Sequence, residues 1–201
     1  MRSYHHGDLR EALIEAGLRV ARSGGEAALS LRELTRAAGV TPNAAYRHFA
    51  DRHALVLAVA LRAQDLLADA MRVAVDPKLP PVPAAVARLR AVGLGYIQFA
   101  RAEPGWFELA FLTHDKGPPV TTGAQVPPPY QLLLDALGAL AATGGLPAQR
   151  RPHAEWVCWS AVHGFADLAT RGPLRHQAPE TVDALAAHVV DTVISGLLPQ
   201  P

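Results

Sequence analysis

The chain has 201 residues, of which 50% are hydrophobic and 18% are charged, and its formal net charge is +1. This composition suits a globular protein with ample material for a core, and it excludes nucleic-acid binding through overall basicity. The single cysteine, Cys158, excludes an intramolecular disulfide, and no apolar run approaches the roughly 20 residues that cross a bilayer. With no apolar signal-peptide core near the N-terminus, a cytoplasmic protein is expected.

Apolar residues recur at helical spacing along most of the chain, and strand-like alternation is absent, which predicts an all-α fold. The first helix is expected to begin at Asp8, with Glu11 three residues later, and to end at residues 23–25. The later helices are predicted at about 54–75, 84–102, 104–113, 130–142, 150–171 and 179–198.

Two short helices joined by a glycine turn are predicted between the first helix and residue 53. Ser30 and Glu33 have capping-box spacing at the start of one helix, and Gly39 ends it. Thr41 as N-cap and Pro42 at the first helical position start the next helix. We therefore expect a three-helix, helix-turn-helix domain in residues 1–53 and a larger helical bundle in residues 54–201.

The short helix that starts at Pro42 is predicted to bury one face and expose a polar one. At about 100° per residue, Pro42, Ala45 and Phe49 share the buried face. The other surface carries Asn43, Ala44, Tyr46, Arg47 and His48. Amide and guanidinium groups can pair with base edges, a methyl group can touch thymine, and Tyr and His can reach phosphates. The alternative is a surface hairpin of two short helices without a DNA role.

Residues 4–60 resemble the DNA-binding domain of the TetR family of bacterial transcriptional regulators, through "SLRELTRAAGV" (30–40), "YRHF" (46–49) and "DRHAL" (51–55). "WSAVHGFADL" (159–168) is similar to a Trp-His-Gly signature in one branch of the family. The resemblance implies a dimeric repressor whose C-terminal helices bind a small effector and release DNA.

The same resemblance implies roles for individual residues. Arg32 would reach the groove edge, and Pro42, Asn43 and Ala44 would touch bases. The phosphate contacts would come from Ser30, Thr41, Tyr46, His48 and Arg52. Many relatives have a lysine where this chain has Ala50, so that contact is missing or is supplied by Arg47 or Arg52. Residues 2–6 are compatible either with an arm on the DNA or with a disordered terminus.

Aromatic residues in two segments suggest an effector pocket in the C-terminal part. The predicted pocket residues are Trp106, Phe107, Phe111, Trp156, Trp159 and His163. His114 and the Pro/Gly-rich loop 114–129, a possible gate, lie nearby in sequence. Because no cluster of Lys or Arg accompanies them, an uncharged or apolar effector is expected. The alternatives are an aromatic core and a core histidine bonded to a backbone carbonyl.

The last two predicted helices have more apolar surface than one subunit is expected to cover, which predicts a four-helix interface in a homodimer. Val190 and Ile194 belong to its apolar stripe, and Ala161 and Gly164 would permit close helix approach. Simple internal packing is the alternative.

The sequence favours a ligand-responsive repressor that binds a palindromic operator in double-stranded DNA. A transcriptional activator and a constitutive architectural DNA-binding protein are alternatives. An enzyme is disfavoured because the sequence has no HExxH, no paired CxxC and no Ser-centred nucleophile elbow. No metal and no cofactor are predicted.

Overall fold

The computed structural model describes residues 6–111 and 126–199, with side chains from residue 9 onward. All regular structure in these ranges is helical, so the all-α prediction is confirmed. The α-helices are α1 (His6–Gly24), α2 (Leu31–Ala38), α3 (Pro42–Tyr46), α4 (Arg52–Met71), α5 (Pro81–Ala102), α6 (Pro104–Phe111), α7 (Pro128–Ala142), α8 (Ala154–Thr170) and α9 (Pro179–Leu197). None of the described helices is long and apolar enough to cross a membrane.

Capping side chains fix two of the helix starts. The Ser30 hydroxyl oxygen accepts a hydrogen bond from the Glu33 backbone N–H at 3.1 Å, which confirms the predicted N-cap of α2. The Glu33 carboxylate pairs with Arg36 at 2.5 Å and not with the Ser30 backbone, so the capping box is half formed. At α4, the Asp51 carboxylate accepts from the Ala54 backbone N–H at 2.7 Å. The helix therefore starts at the residue after Asp51.

Several helix ends differ from the predicted ones, among them those of α4, α7 and α8. α4 ends at Met71 and not near residue 75. Val73 is apolar but exposed, so packing of its side chain does not stabilise a longer helix. α8 starts at Ala154 and not at 150, because residues 148–150 form a separate 3-10 turn. α7 starts at Pro128, within the stretch predicted as a loop. Residues 114–125 of that loop lie outside the described residues.

The chain divides into two compact units, and the first comprises residues up to 66 together with 103–111 among the described ones. In this unit α1 packs against α2, α3 and α6. A Cβ added at Gly17 would lie 2.5 Å from the Val59 side chain, which shows how closely α1 approaches α4. The core of the unit includes Leu13, Leu34 and Leu55, all fully buried.

α6 belongs to this first unit because it is attached to α1. The Trp106 indole N–H donates to the Leu18 carbonyl oxygen at 2.7 Å, and Glu103 pairs with Arg22 at 2.5 Å. A Cβ at Gly105 would lie 2.2 Å from the Ala21 carbonyl oxygen, so only glycine permits this approach. The sequence-based boundary after residue 53 does not coincide with these units, since it placed α6 with the C-terminal helices.

The second unit comprises residues 67–102 and the described residues from 126 onward. α5 lies at its centre and packs against α7, α8 and α9, while α8 also packs against α9. A Cβ at Gly95 would lie 2.5 Å from the Ala70 carbonyl oxygen, so glycine lets α5 approach the last turn of α4. Ion pairs from Arg90 to Asp191 and from Arg101 to Asp183 join α5 to α9.

Candidate functional site

A left-handed glycine forms the turn between α2 and α3. Gly39 has φ 69° and ψ 30°, a conformation that favours glycine, and its backbone N–H bonds to the Arg36 carbonyl oxygen at 3.2 Å. The Val40 N–H then bonds to the Thr35 carbonyl oxygen at 2.9 Å. These bonds end α2 abruptly and give the helix-turn-helix geometry that the sequence predicted.

α3 is anchored from one side. Ala45 is fully buried and Phe49, just beyond the helix, is 4% exposed, as the predicted face requires. Pro42, however, is exposed, which corrects its assignment to the buried face. Pro42 is the first residue of α3 and precedes Ala45, the helix residue that packs on the core.

The opposite side of α3 presents polar groups to solvent. Asn43, Tyr46 and Arg47 are exposed, with Tyr46 at 55%, while Ala44 and His48 are partly buried. Thus each residue predicted for this surface lies on the outside of α3 or directly after it. Amide, phenol and guanidinium groups on a rigid support can contact DNA bases and phosphates.

The flanks of α3 add further groups to this surface. Arg32 and Thr41 are exposed, and the Thr41 side chain makes no capping hydrogen bond. Within the described part of the chain, neither Arg32 nor Arg47 forms an ion pair. Ser30 is half-buried and uses its oxygen as the α2 cap, which leaves its hydroxyl hydrogen as a donor.

Arg52 has a different environment from the one expected of a phosphate contact. Its Nε donates to the Leu29 carbonyl oxygen at 2.6 Å, and Nη2 donates to the Glu26 carbonyl oxygen at 3.3 Å. Nη1 lies 3.6 Å from the Glu26 carboxylate. The guanidinium thus joins the start of α4 to the turn before α2, which gives Arg52 a structural role, and the phosphate contact stays a prediction.

An apolar cavity of about 30 Å³ lies among α5, α7, α8 and α9 of the second unit. It is lined by Met71, Leu89, Val92, Gly93, Tyr96, Pro129, Leu133, Cys158, Trp159, Val162, Val190, Val193 and Ile194. No charged side chain is among these residues. Since a cavity needs about 10–15 Å³ on this scale to hold one water, the space as it stands accepts only a few heavy atoms.

Two polar groups in the cavity wall are kept neutral by burial. Burial raises the pKa of Tyr96, whose hydroxyl lies 2.7 Å from His163 Nδ1. Burial, with Glu155 as the second cause, raises the pKa of the Cys158 thiol to about 11. The Trp159 ring meets Tyr96 edge-on at 5.7 Å between centroids. The wall therefore carries no charge near neutral pH.

Of the six residues predicted for the effector pocket, Trp159 alone lines this cavity. Trp106, Phe107 and Phe111 lie on α6 in the first unit, and their part in an effector pocket stays a prediction. Trp156 is 46% exposed and contacts the Tyr130 ring at 6.1 Å. His163 is next to the cavity through its hydrogen bond to Tyr96. His114 lies outside the described residues.

Sequence reasoning missed most of the cavity wall. Leu89, Val92 and Val162 are ordinary aliphatic residues in apolar helices, and nothing in their pattern separates a wall from a packed core. Tyr96 and its neighbouring glycines in "GLGYIQF" (93–99) were the available signal, since a buried tyrosine needs a polar partner.

The residues predicted for the dimer interface separate into two groups. Val190 and Ile194 are 4% and 5% exposed within one chain and line the cavity, so they do not form an outer apolar surface, and their assignment to the interface is corrected. Gly164 is exposed and Ala161 half-buried on the outer side of α8. The exposed apolar residues on this side of α8 and on α9 are Val157, Leu168 and Leu185.

Within the described residues, no group of three or more His, Cys, Asp or Glu side chains could hold a metal ion.

The chain combines a helix-turn-helix that has an exposed polar face with a helical unit that has an uncharged cavity. This combination is typical of a class of DNA-binding regulators. The nine described helices and the two units provide the fold against which related proteins can be compared.

Family models match both parts of the chain. Residues 13–59 match "Bacterial regulatory proteins, tetR family", and residues 89–193, more than half of the chain, match "Tetracyclin repressor-like, C-terminal domain". None of the curated proteins matches this chain. The chain belongs to the TetR family of transcriptional regulators, which are DNA-binding proteins and not enzymes.

Solved structures share the fold of this chain. A protein with unknown function from Rhodococcus sp. RHA1 is 30% identical, with 99% of this chain and 100% of that chain covered and a TM-score of 0.77. A putative TetR-family regulator from Vibrio parahaemolyticus is 18% identical over 96% of this chain and 100% of that chain, with a TM-score of 0.67. A TetR-family regulator from Marinobacter aquaeolei VT8 is 21% identical over 92% and 94%, with a TM-score of 0.61. The last two show the shared fold.

Proposed function

We propose that this protein is a cytoplasmic, homodimeric repressor that binds a palindromic operator and leaves it when an uncharged, largely apolar effector enters the second unit. The observation that supports this most directly is the occurrence, in one chain, of the exposed polar face of α3 and the uncharged cavity among α5, α7, α8 and α9.

In this proposal the DNA is contacted by α3 and by the first turn of α2. Asn43 faces the base edges, and Arg32 lies at the edge of the groove. Pro42 and Ala44 allow close approach to the bases. The phosphate contacts come from Ser30, Thr41, Tyr46, Arg47 and His48. Because these phosphate contacts displace counterions, affinity falls steeply as salt rises.

A second copy of the chain covers the outer sides of α8 and α9. Val157, Ala161, Gly164 and Leu168 recur at helical spacing along α8, and small side chains there let two helices approach closely. A two-fold dimer presents two copies of α3, which is why a palindromic site is expected.

The effector acts by stabilising a different packing of the second unit. The present cavity is too small for a whole ligand, so binding requires the lining side chains to move apart. A ligand that binds only the opened arrangement shifts the population towards it, whereas a ligand indifferent to both would shift nothing. Opened and closed arrangements would then differ in DNA affinity.

Selection from random double-stranded DNA tests the DNA-binding part. We expect enrichment of an inverted repeat whose half-sites are about one helical turn apart. A library that shows no enriched motif after several rounds would contradict specific binding. Placing the selected site within a promoter then distinguishes repression from activation.

Substitution of Leu168 tests the dimer interface. Leu168→Asp places a charge on the outer side of α8, so we expect folded monomers with weakened operator binding in light scattering and anisotropy. Val190→Asp is the matched comparison: its side chain is buried within the chain, and we expect loss of folding. An unchanged Leu168→Asp dimer would place the interface elsewhere.

The effector site can be tested with one tryptophan as reporter. The chain has three tryptophans, and replacing Trp106 and Trp156 by Phe leaves Trp159 in the cavity wall as the only emitter. Native mass spectrometry of freshly purified protein identifies a co-purifying compound, which is then titrated. Quenching of Trp159 and release of the operator should occur over the same concentration range. Release without any change in Trp159 emission would move the effector site away from this cavity.

A further inference from the structure

Gly93 on α5 stands where three helices face the cavity. A Cβ added there would lie 3.2 and 3.3 Å from the two Val190 methyl carbons on α9 and 3.5 Å from a Val162 methyl carbon on α8. Gly93, Val162 and Val190 all line the cavity. A side chain at position 93 would therefore fill the narrow gap between α5 and these methyl groups, with contacts tighter than ordinary van der Waals contact.

Close helix packing does not account for this glycine. At Gly95, two residues further along α5, the atoms nearest to an added Cβ belong to the α4 backbone, at 2.5 and 2.8 Å. At Gly93 the nearest atoms are side-chain methyl groups, which can shift by a few tenths of an ångström. The backbone thus requires glycine at 95, whereas at 93 a methyl group is compatible with the fold.

Glycine in the interior of a helix also lowers stability relative to alanine. At position 93 alanine would add helix propensity and apolar contacts to Val190 and Val162. Its Cβ would also require the Val190 methyl groups to shift by a few tenths of an ångström, so what glycine leaves at this position is space between α5 and the pair α8–α9.

We infer that Gly93 is the residue that sets the width of the effector cavity, so that a ligand lies with an apolar edge against the α5 backbone at this position. The inference rests on the proposed function, in which this cavity binds the effector. The ligand class it specifies is an uncharged molecule with a flat or narrow apolar part, because the wall opposite Gly93 consists of the Val162 and Val190 methyl groups.

Toluene and xenon are suitable probes, since both are apolar and uncharged and neither requires a polar partner. Binding to the full chain is followed by the NMR shifts of Val162 and Val190 methyl groups. We expect saturable shifts in the wild type and a loss of toluene affinity of about tenfold or more in Gly93→Ala, the usual effect of one methyl group in an apolar pocket. Gly138→Ala is the matched control: it is a Gly-to-Ala change in a helix of the same unit, and its Cβ would have no neighbour within 4 Å. It should bind as the wild type does.

A compensating variant separates width from misfolding. Val190→Ala removes the methyl groups nearest to position 93, so Gly93→Ala/Val190→Ala should fold and recover toluene binding. Wild-type affinity in Gly93→Ala, or a folded double variant that still fails to bind, overturns the role of Gly93 alone. Absence of saturable binding of either probe to the wild type overturns the cavity as an apolar ligand site, and with it this inference.

Discussion

Two arginines five residues apart in sequence are expected to affect different properties when they are removed, one the stability and the other the DNA affinity. Arg47 is exposed at the end of α3 and forms no ion pair within the described residues, whereas Arg52 is bonded to the turn before α2. Arg52→Ala should therefore reduce stability, and Arg47→Ala should reduce DNA affinity. The contrast tests whether the structure has separated the two roles correctly.

The expected loss for Arg52→Ala follows from its contacts. The Leu29 carbonyl oxygen, on a fully buried residue, accepts from Arg52 Nε at 2.6 Å, and a hydrogen bond of this charged kind contributes about 1.5–3 kcal/mol. The Arg52 side chain is 48% exposed, so water offsets part of this, and the surface ion pair with Glu26 adds little. We expect the free energy of unfolding to fall by about 1–2 kcal/mol in Arg52→Ala and to change by less than about 0.5 kcal/mol in Arg47→Ala.

Urea unfolding and fluorescence anisotropy with a selected operator measure the two effects. Arg47→Ala should weaken binding to operator and random DNA alike, and the slope of log affinity against log salt should decrease by about 1. Arg52→Lys is the control, because lysine keeps the charge but loses the planar fork that reaches Leu29. If Arg52→Ala were as stable as the wild type and lost the salt slope, while Arg52→Lys kept it, Arg52 would be a phosphate contact and our structural assignment would be wrong.

Four further substitutions have defined outcomes. Asn43→Ala should cost about 1–3 kcal/mol on the selected operator and little on random DNA in anisotropy, because the amide reads base edges; equal losses on both would refute base recognition. Trp106→Phe should lower the free energy of unfolding by about 1–2 kcal/mol, since the Leu18 carbonyl oxygen loses its donor; no change in urea unfolding would contradict this. Gly95→Ala should destabilise by about 1–3 kcal/mol because its Cβ would force the backbone of α4 to move, whereas Gly138→Ala should stabilise by up to about 1 kcal/mol; equal melting temperatures for the two variants would refute the packing argument.

The helix-turn-helix was predictable from sequence because its determinants are local. Ser30 caps α2, and Gly39 ends it with a positive φ. The buried and exposed sides of α3 follow from the spacing of Ala45 and Phe49, since neighbouring residues on one short helix fix the face. These signals operate within a few residues, so no knowledge of distant contacts is needed.

Arg52 shows where local reasoning ends. Its position directly after the α3 segment suggested a phosphate contact, but its partner is the carbonyl oxygen of Leu29, which is 23 residues earlier in the chain. Backbone carbonyls occur at every residue, so the sequence contains no mark of which one will accept. The same holds for Trp106, whose indole finds the Leu18 carbonyl on α1.

α9 shows the same limit on a larger scale and explains why the cavity was not predicted. Its apolar stripe correctly indicated that Val190 and Ile194 would be buried, yet a stripe does not say whether a second chain or a neighbouring helix covers it. The structure shows that α5 covers this side of α9, held there by ion pairs of Arg90 and Arg101 with aspartates on α9. Burial within the chain leaves the outer side of α8, with Leu168, as the surface available to a second copy. In the proposed function, the four-helix dimer and the effector cavity use different sides of the same two helices, so a ligand that moved α9 against α5 would act directly on the helices that join the dimer.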